Sequence, residues 1–433
     1  MSSAQYPRDL AIRVLTRVMT DGFPLDEALN HVLENRPGSL ARPWLQEVCA
    51  GTLRWRGRLD LAIDSVALKK RPTGWLRKAL LLGAYQLIGQ NRTSPAAVVS
   101  ETVNEVRRQE GEAPARFANA LLRKIAEHAA SYREMALPTD PEQGPAWASL
   151  PPWIWYRLLR QRGKPWAMDY AQASLSRPML WVRARQSSWA EGQGLRAGPI
   201  PGAYQIAVTP SGELVETGSG AVSVLPTLID QWPGFASGEF FVQDISSQLL
   251  LAEISAKVRA GCGGINPRAL DLCAAPGGKA AGLAWNGFQV VATDRDGGGA
   301  RMGLLQDTVA RVAPSVEVID RSKVDALTGL DLVWVDAPCT GSGILRRHPE
   351  VRWLRQESEL NGLFALQREL AQEAWQKVRP GGYMAYSVCS VLAEEGPGAL
   401  ADSGLSSAIA QTWSLDPQSA PHGDGFWAAL LKK

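Results

Sequence analysis

The feature that most constrains this chain lies in its second half, where short apolar runs alternate with helix-length stretches. Ala269–Cys273, Gln289–Asp294, Val316–Asp320, Asp331–Asp336 and Tyr383–Val388 read as strands, with helical segments between them. The longest helical stretch, Glu357–Arg379, stops at Pro380-Gly381-Gly382. Parallel neighbours cannot be joined by a tight turn, so strands separated by helices predict a doubly wound α/β sheet, here beginning near residue 236. Such sheets bind ligands beyond the carboxyl ends of their strands, and chemistry is expected there.

The first strand end reads Asp271-Leu272-Cys273-Ala274-Ala275-Pro276-Gly277-Gly278-Lys279. Small residues let the backbone approach a ligand, and the helix that follows offers its positive N-terminus. It is not a phosphate-binding Walker loop, because the first Gly of that pattern is missing and Ala280 stands where Ser or Thr should. Asp294, at the next strand end, sits where an acid that grips ribose hydroxyls is expected. Loop and acid together predict an adenosine-containing cofactor. Two further strand ends carry thiols: Cys339 after Asp336-Ala337-Pro338, and Cys389 after Tyr386-Ser387-Val388. A buried cysteine is ordinarily a small inert filler, which suits Cys49 and Cys262. Two thiols on the cofactor edge of one sheet point instead to covalent chemistry, and spacing alone does not order them.

Residues 1–135 read as helix after helix, with Leu10, Val14, Leu15 and Val18 on one face. Val98, Val99, Thr102, Val103 and Val106 share another, and Phe117, Leu121 and Ile125 a third. This stretch holds 20 Lys/Arg against 14 Asp/Glu, so the formal charge of +3 hides a basic front and an acidic remainder. That division fits a nucleic-acid-binding arm on a catalytic body. A Pro-rich linker is expected at 136–150. After it, Trp153, Trp155, Trp166, Trp181 and Trp189 alternate with Arg157, Arg160, Arg162, Lys164, Arg177, Arg183 and Arg185. Indoles and guanidiniums in that mixture suit single-stranded RNA, although several of the Trp must serve as core. The expected division is therefore 1–135, 136–235 (a small α+β RNA-binding region) and 236–433. Five scattered cysteines without a C-x-x-C pair indicate neither a disulfide framework nor a metal site. With no long apolar run and no signal-like N-terminus, the expectation is a cytoplasmic protein that needs neither membrane nor metal.

"DLCAAPGGK", "DAPCTGSGILRRHPEVRW" and "YSVCS" resemble the Sun/Fmu-type 16S rRNA cytosine-5 methyltransferases over most of 236–433. The segment Phe117-Ala118-Asn119-Ala120-Leu121-Leu122-Arg123 resembles the NusB-like helical domain that this family carries at its front. The resemblance implies a multidomain chain: an all-α NusB-like domain, then a Rossmann-like class I methyltransferase domain using S-adenosylmethionine. Cofactor contacts are implied from Cys273, Ala274, Ala275, Pro276, Gly277, Gly278 and Lys279, then from Asp294, Asp336 and an acid after Val316–Ile319, with Asp320 preferred to Asp325. Cys389 is implied as the attacking thiol, and Cys339 as an aid to enzyme release. Arg346, Arg347 and His348 are implied to face RNA, with 16S rRNA or a small-subunit assembly intermediate as partner; a monomer is the expected form. Carbon 5 of cytosine is a poor nucleophile until a thiolate adds at carbon 6 and makes it enamine-like. An acid such as Asp336 beside the ring could stabilise the charge that develops.

Three departures from the family pattern stand out: Val388 in place of the usual Thr, Gly297-Gly298-Gly299 after the ribose acid, and Glu394-Glu395-Gly396-Pro397-Gly398 after the nucleophile. The same reaction on tRNA stays open. So do a DNA cytosine methyltransferase using Cys339 and a non-catalytic RNA-binding protein.

Overall fold

The computed structural model describes residues 7–34, 42–67, 71–90, 93–206, 229–263, 266–295, 299–419 and 423–433. Two compact units emerge, Met1–Arg177 with Leu345–Gln356, and Pro178–Ile344 with Glu357–Lys433. None of the described helices is long and apolar enough to cross a membrane.

The first unit is helical. Its core helices are α1 (Pro7–Met19), α2 (Leu25–Leu33), α3 (Arg42–Val66), α4 (Gly74–Ile88), α5 (Pro95–Glu110) and α6 (Glu112–Glu127). The faces expected from sequence are the buried ones: Leu10, Val14, Leu15 and Val18 on α1, and Val98 through Val106 on α5. On α6, Leu121 and Ile125 are buried, while Phe117 is half-buried against the same core. Helix α4 is buried from Ala79 to Ile88 and forms the centre. Helix α3 passes so close to it that a Cβ on Gly51 would lie 1.9 Å from the Tyr85 ring, so only glycine fits there. Gly111, at φ +87°, turns the chain between α5 and α6 in a conformation that side chains resist.

The division differs from the boundaries expected at 135 and 235. The stretch 136–150 holds the helix Gly144–Ala148 and buries Trp147 and Leu150 in the helical unit. Arg58, itself buried, donates to the Trp147 carbonyl at 2.8 Å and to Gln172 Oε1 at 2.9 Å. A Pro-rich segment with a tryptophan to bury packs rather than spans. The helices Pro152–Arg162 and Lys164–Ser174 belong to the same unit.

The second unit contains two sheets. The smaller is antiparallel, in the order β2–β3–β1–β4, from β1 (Leu180–Ala184), β2 (Arg196–Ala197), β3 (Ala203–Ile206) and β4 (Phe240–Val242). The larger comprises β5 (Arg268–Asp271), β6 (Gln289–Ala292), β7 (Glu317–Val318), β8 (Leu330–Asp336), β9 (Val378–Val388), β10 (Ile409–Leu415) and β11 (Phe426–Lys432). Its order is β10–β11–β9–β8–β5–β6–β7. Strands β9 to β7 run parallel, and the β10–β11 hairpin joins β9 antiparallel. The sheet is thus mostly parallel, and its antiparallel edge is an addition to the sequence reading. Chain order reverses between β5 and β8, which makes their carboxyl ends the switch point where a ligand crevice forms.

Of the residues expected to alternate on an RNA face, the tryptophans are buried or half-buried, while most of the cationic ones are exposed. Trp155 and Trp181 are buried, and Trp189 stacks on Phe240 at 4.5 Å. Arg183 donates to Asn286 Oδ1 at 2.7 Å and Arg185 to the Val312 carbonyl at 2.6 Å. Arg160, Arg162, Lys164, Arg177 and Arg185 are exposed. Large side chains in small layers are what bury area.

Candidate active site

Strand β5 ends at Asp271, and the following loop is held down residue by residue. Ala274 N–H donates to the Thr293 carbonyl at 2.9 Å, and Ala275 N–H to Asp294 Oδ2 at 3.0 Å. The Ala275–Pro276 bond is cis, and Gly277, at φ +109°, turns the chain into the helix Gly278–Trp285. A Cβ on Gly277 would also come within 3.1 Å of Thr308. Cys273 is buried, and Asp294 is 3% exposed and paired with Arg301 at 3.1 Å. Asp271 is wholly buried; burial pushes its carboxyl up to about 7, with Lys279 opposing and the charges of Asp336 and Asp294 reinforcing the rise.

Asp320 follows β7, and its exposed carboxylate caps the next turn, accepting from Ser322 N–H at 2.9 Å and Ser322 Oγ at 2.6 Å. Those hydrogen bonds hold its carboxyl below the ordinary range. Asp325 lies further along that turn and faces Lys377 at 3.7 Å. Gly297 and Gly298 lie outside the described residues.

The β8–β9 register sets Asp336 opposite Ser387. Ser387 Oγ donates to Asp336 Oδ1 at 2.8 Å and accepts from Trp334 Nε1 at 3.0 Å. Lys279 Nζ reaches the other carboxylate oxygen at 2.5 Å. Burial alone would lower the Lys279 pKa, but Asp336 outweighs it, helped by Asp271 and Cys389, and the net shift is upward. Three residues past Asp336 and two past Ser387, the thiols converge: Cys339 Sγ and Cys389 Sγ are 3.2 Å apart. The two loops approach closely because Gly343, whose N–H donates to the Cys389 carbonyl at 2.9 Å, has no room for a side chain; a Cβ there would sit 2.0 Å from the Gly425 carbonyl oxygen.

The thiols are not equivalent. Cys339 is 8% exposed and Cys389 is more open to solvent. Its hydrogen bond to Cys389, burial and the charge of Glu395 all push the Cys339 thiol well above its ordinary value. The surroundings of Cys339 thus favour its protonated form, an asymmetry between the two thiols that spacing alone did not show. Cys49 is sealed in the helical core with its thiol pushed up by burial, an inert filler as expected.

Arg346, Arg347 and His348 belong to the helical unit rather than to the one that holds the thiols. Arg346 is 5% exposed, Arg347 and His348 are half-buried, and His348 Nδ1 lies 3.5 Å from Glu350. Burial opposes protonation of His348, but Glu350 outweighs it and raises its pKa. Arg352, further along the same segment, is fully buried and donates to the carbonyls of Arg54, Ser149, Ser174 and Leu345. Half of the "GILRRHPEVRW" motif thus serves to anchor the segment, which its pattern did not reveal. Sequence reasoning also missed Ser387, Thr340, Gln367 and the structural use of Glu395; an acid six positions past a strand-end Cys-Ser was the available signal.

Comparison with known proteins agrees with this layout. Residues 265–431 match the family model described as 16S rRNA methyltransferase RsmB/F, and residues 5–127 match the NusB family. Ribosomal RNA small subunit methyltransferase B of Sodalis glossinidius is 30% identical, over 98% of this chain and 97% of that protein. Its counterpart in Yersinia pestis (strain Angola) is 29% identical, with 98% of each chain covered. Among solved structures, PH0851 aligns over 99% of both chains with a TM-score of 0.69 at 22% identity. NSun6 from Pyrococcus horikoshii with SFG aligns with 65% of this chain and 98% of its own, with a TM-score of 0.51 at 17% identity.

Proposed function

Because the chain belongs to the ribosomal RNA small subunit methyltransferase B family, and so is an S-adenosylmethionine-dependent RNA methyltransferase, we propose that it methylates carbon 5 of a cytosine in small-subunit rRNA through a bond from Cys389. The observation that carries this reading is the pair of thiols 3.2 Å apart beside the Lys279–Asp336 ion pair at the switch point of the sheet.

The residues at that switch point suit the cofactor. Gly277 and Gly278 leave the backbone of the loop open, the N-terminus of helix Gly278–Trp285 follows, and Asp294 and Asp336 stand at the ends of the two strands that flank β5. The cradle would be Cys273 through Lys279, with Asp294 and Asp320 for the nucleoside and Asp336 nearest the chemistry. Bound there, S-adenosylmethionine supplies the electrophilic methyl group that carbon 5 takes up.

The chain's own groups do the rest. The Lys279 ammonium lies close enough to Cys389 for the two to interact, and favours the thiolate. The Cys389 sulfur adds to carbon 6, and the electron pair of the 5,6 double bond moves into the ring towards N3. Asp336, fixed by Lys279 and Ser387, can accept a hydrogen bond from the ring edge and hold the base in one orientation. Once carbon 5 has gained its methyl group it must lose a proton, and the carbon–sulfur bond then breaks with its electrons returning to Cys389. The Cys339 S–H is placed to hydrogen-bond that departing thiolate.

Cys339→Ala should accumulate a protein–RNA species that survives denaturation, and Cys389→Ala should form none. Methylation at the normal rate by Cys389→Ala would refute the assignment. Bisulfite sequencing of total RNA with and without the protein locates the base; loss of a tRNA methylation with rRNA unchanged would refute the rRNA substrate.

A further inference from the structure

Glu395 is a carboxylate with no accessible surface and no role in the chemistry above. It accepts from Thr340 N–H at 2.7 Å and from Thr340 Oγ1 at 2.5 Å. Ser390 Oγ donates to it at 2.5 Å and Gln367 Nε2 at 3.1 Å. Every one of these partners is neutral. A buried carboxylate normally demands a cation or several donors, and here four hydrogen bonds do the work of the cation. The donors come from three separate segments. Thr340 follows Cys339, Ser390 follows Cys389, and Gln367, on the helix Leu360–Lys377, also donates to the carbonyl of Pro338, the residue before Cys339. A further link, Ser342 Oγ to Ser390 Oγ at 2.9 Å, ties the two loops directly. Glu395 is itself held at its backbone, where its carbonyl accepts from Tyr386 OH at 2.8 Å.

We infer that Glu395 is a positioning residue for the two-thiol site, its carboxylate binding the loops of Cys339 and Cys389 together so that the sulfurs stand in reach of one another and of one base. The inference rests on the reading of Cys389 as nucleophile. Filler would not need an acid here: a leucine would seal the same space without costing the burial of a charge. The acid instead offers acceptor positions to both loops at once, and an amide cannot replace it, since glutamine has only one acceptor oxygen and turns an N–H₂ group towards donors. The negative charge beside Cys339 also keeps that thiol protonated, which preserves the division of labour between the sulfurs.

The test uses the full-length chain and small-subunit rRNA. Single-turnover formation of the covalent adduct should slow about 10- to 100-fold in Glu395→Gln, the range expected when reacting groups shift by about 1 Å. S-adenosylmethionine affinity, to which Glu395 contributes no contact in the proposed cradle, should stay within about threefold, so the loss falls on kcat. Iodoacetamide should label Cys389 far ahead of Cys339 in the wild-type protein and lose that preference in the variant, a change that general loosening of the fold would not single out. Thr340→Val and Ser390→Ala, which each remove one of the four hydrogen bonds to Glu395, should give smaller losses. A Glu395→Gln protein that forms adduct within twofold of wild type, with labelling preference intact, overturns the inference. If that variant does not fold, wild-type behaviour of both single-bond variants overturns it equally. Failure of the wild-type protein to form any adduct defeats the nucleophile reading instead, and the inference falls with it.

Discussion

Arg352→Met asks how much one buried guanidinium contributes to the helical unit. Arg352 is fully buried, and its two terminal nitrogens donate to four backbone carbonyls: Arg54 at 3.1 Å, Ser149 at 2.9 Å, Ser174 at 3.1 Å and Leu345 at 2.8 Å. Burial lowers its pKa to about 9. That shift sets a cost of about 5 kcal/mol for keeping the charge inside. Charge-assisted hydrogen bonds are worth about 1.5–3 kcal/mol each, so four of them outweigh the cost by a few kcal/mol. Methionine removes the cost and the bonds together, but it leaves carbonyls from four parts of the chain facing an apolar side chain. We expect a loss of about 3–5 kcal/mol, as for other buried charges whose partners are abandoned. Hydrogen exchange read by mass spectrometry is the direct assay. Amides of Leu345–Gln356 and of the middle of α3 should open two to nearly four decades more readily. Arg352→Lys should lie between, since an ammonium keeps the charge but cannot span the same four acceptors. Exchange in Arg352→Met within threefold of wild type would refute the reasoning, and would mean that the guanidinium does no more than solvate itself.

Three other outcomes follow from the catalytic unit. The Asp271 carboxyl titrates near 7 when folded and near its ordinary value of 3.8 when unfolded, so the folded state holds the extra proton between them, and the stability this group provides falls as pH rises through that window. Relative to Asp271→Asn, the wild-type protein should therefore lose about 2–3 kcal/mol between pH 5 and pH 8 in denaturant titrations; parallel curves would contradict the burial assigned to it. Diamide should link Cys339 to Cys389 and abolish activity until a reductant is added, because sulfurs 3.2 Å apart need close by only about 1 Å to form a bond; peptide mapping that finds both thiols free would contradict the separation. Lys279→Met should slow Cys389 alkylation at neutral pH about 10-fold, measured without cofactor, and an unchanged rate would remove the lysine from thiolate stabilisation.

The sequence made the parallel strands and their ligand edge legible because a strand buried on both faces is a short apolar run, and every such run but Tyr383–Val388 ended in a small or acidic residue. Ile409–Leu415 and Phe426–Lys432 escaped notice for opposite reasons. The first is an edge strand whose residues alternate between half-buried and exposed, and the second, Phe-Trp-Ala-Ala-Leu-Leu-Lys, is an apolar run that a helix could equally claim. The tryptophans after residue 150 could not be divided between core and surface from sequence, because interleaved Trp and Arg look the same whether they meet a base or a neighbouring layer; Trp155 and Trp181 are buried, whereas exposed Arg162 lies 4.4 Å over half-buried Trp166. Glu395 and Arg352 were invisible as partners because their hydrogen bonds join residues brought together only by folding.

The site's logic rests on two carboxylates treated oppositely. Asp336 is partly open and matched by a lysine, so its charge is neutralised locally and the same lysine remains near enough to favour a thiolate at Cys389. Glu395 is closed off and matched only by neutral donors, and it raises the Cys339 thiol. In the proposed mechanism one sulfur is thereby biased to attack and its neighbour to remain a thiol, although both end adjacent strands of the same sheet. Exchanging the two environments, a lysine near Cys339 and an acid near Cys389, would be expected to exchange the proposed roles. On this proposal the distinction between nucleophile and helper lies in what surrounds each sulfur and not in the sulfurs themselves.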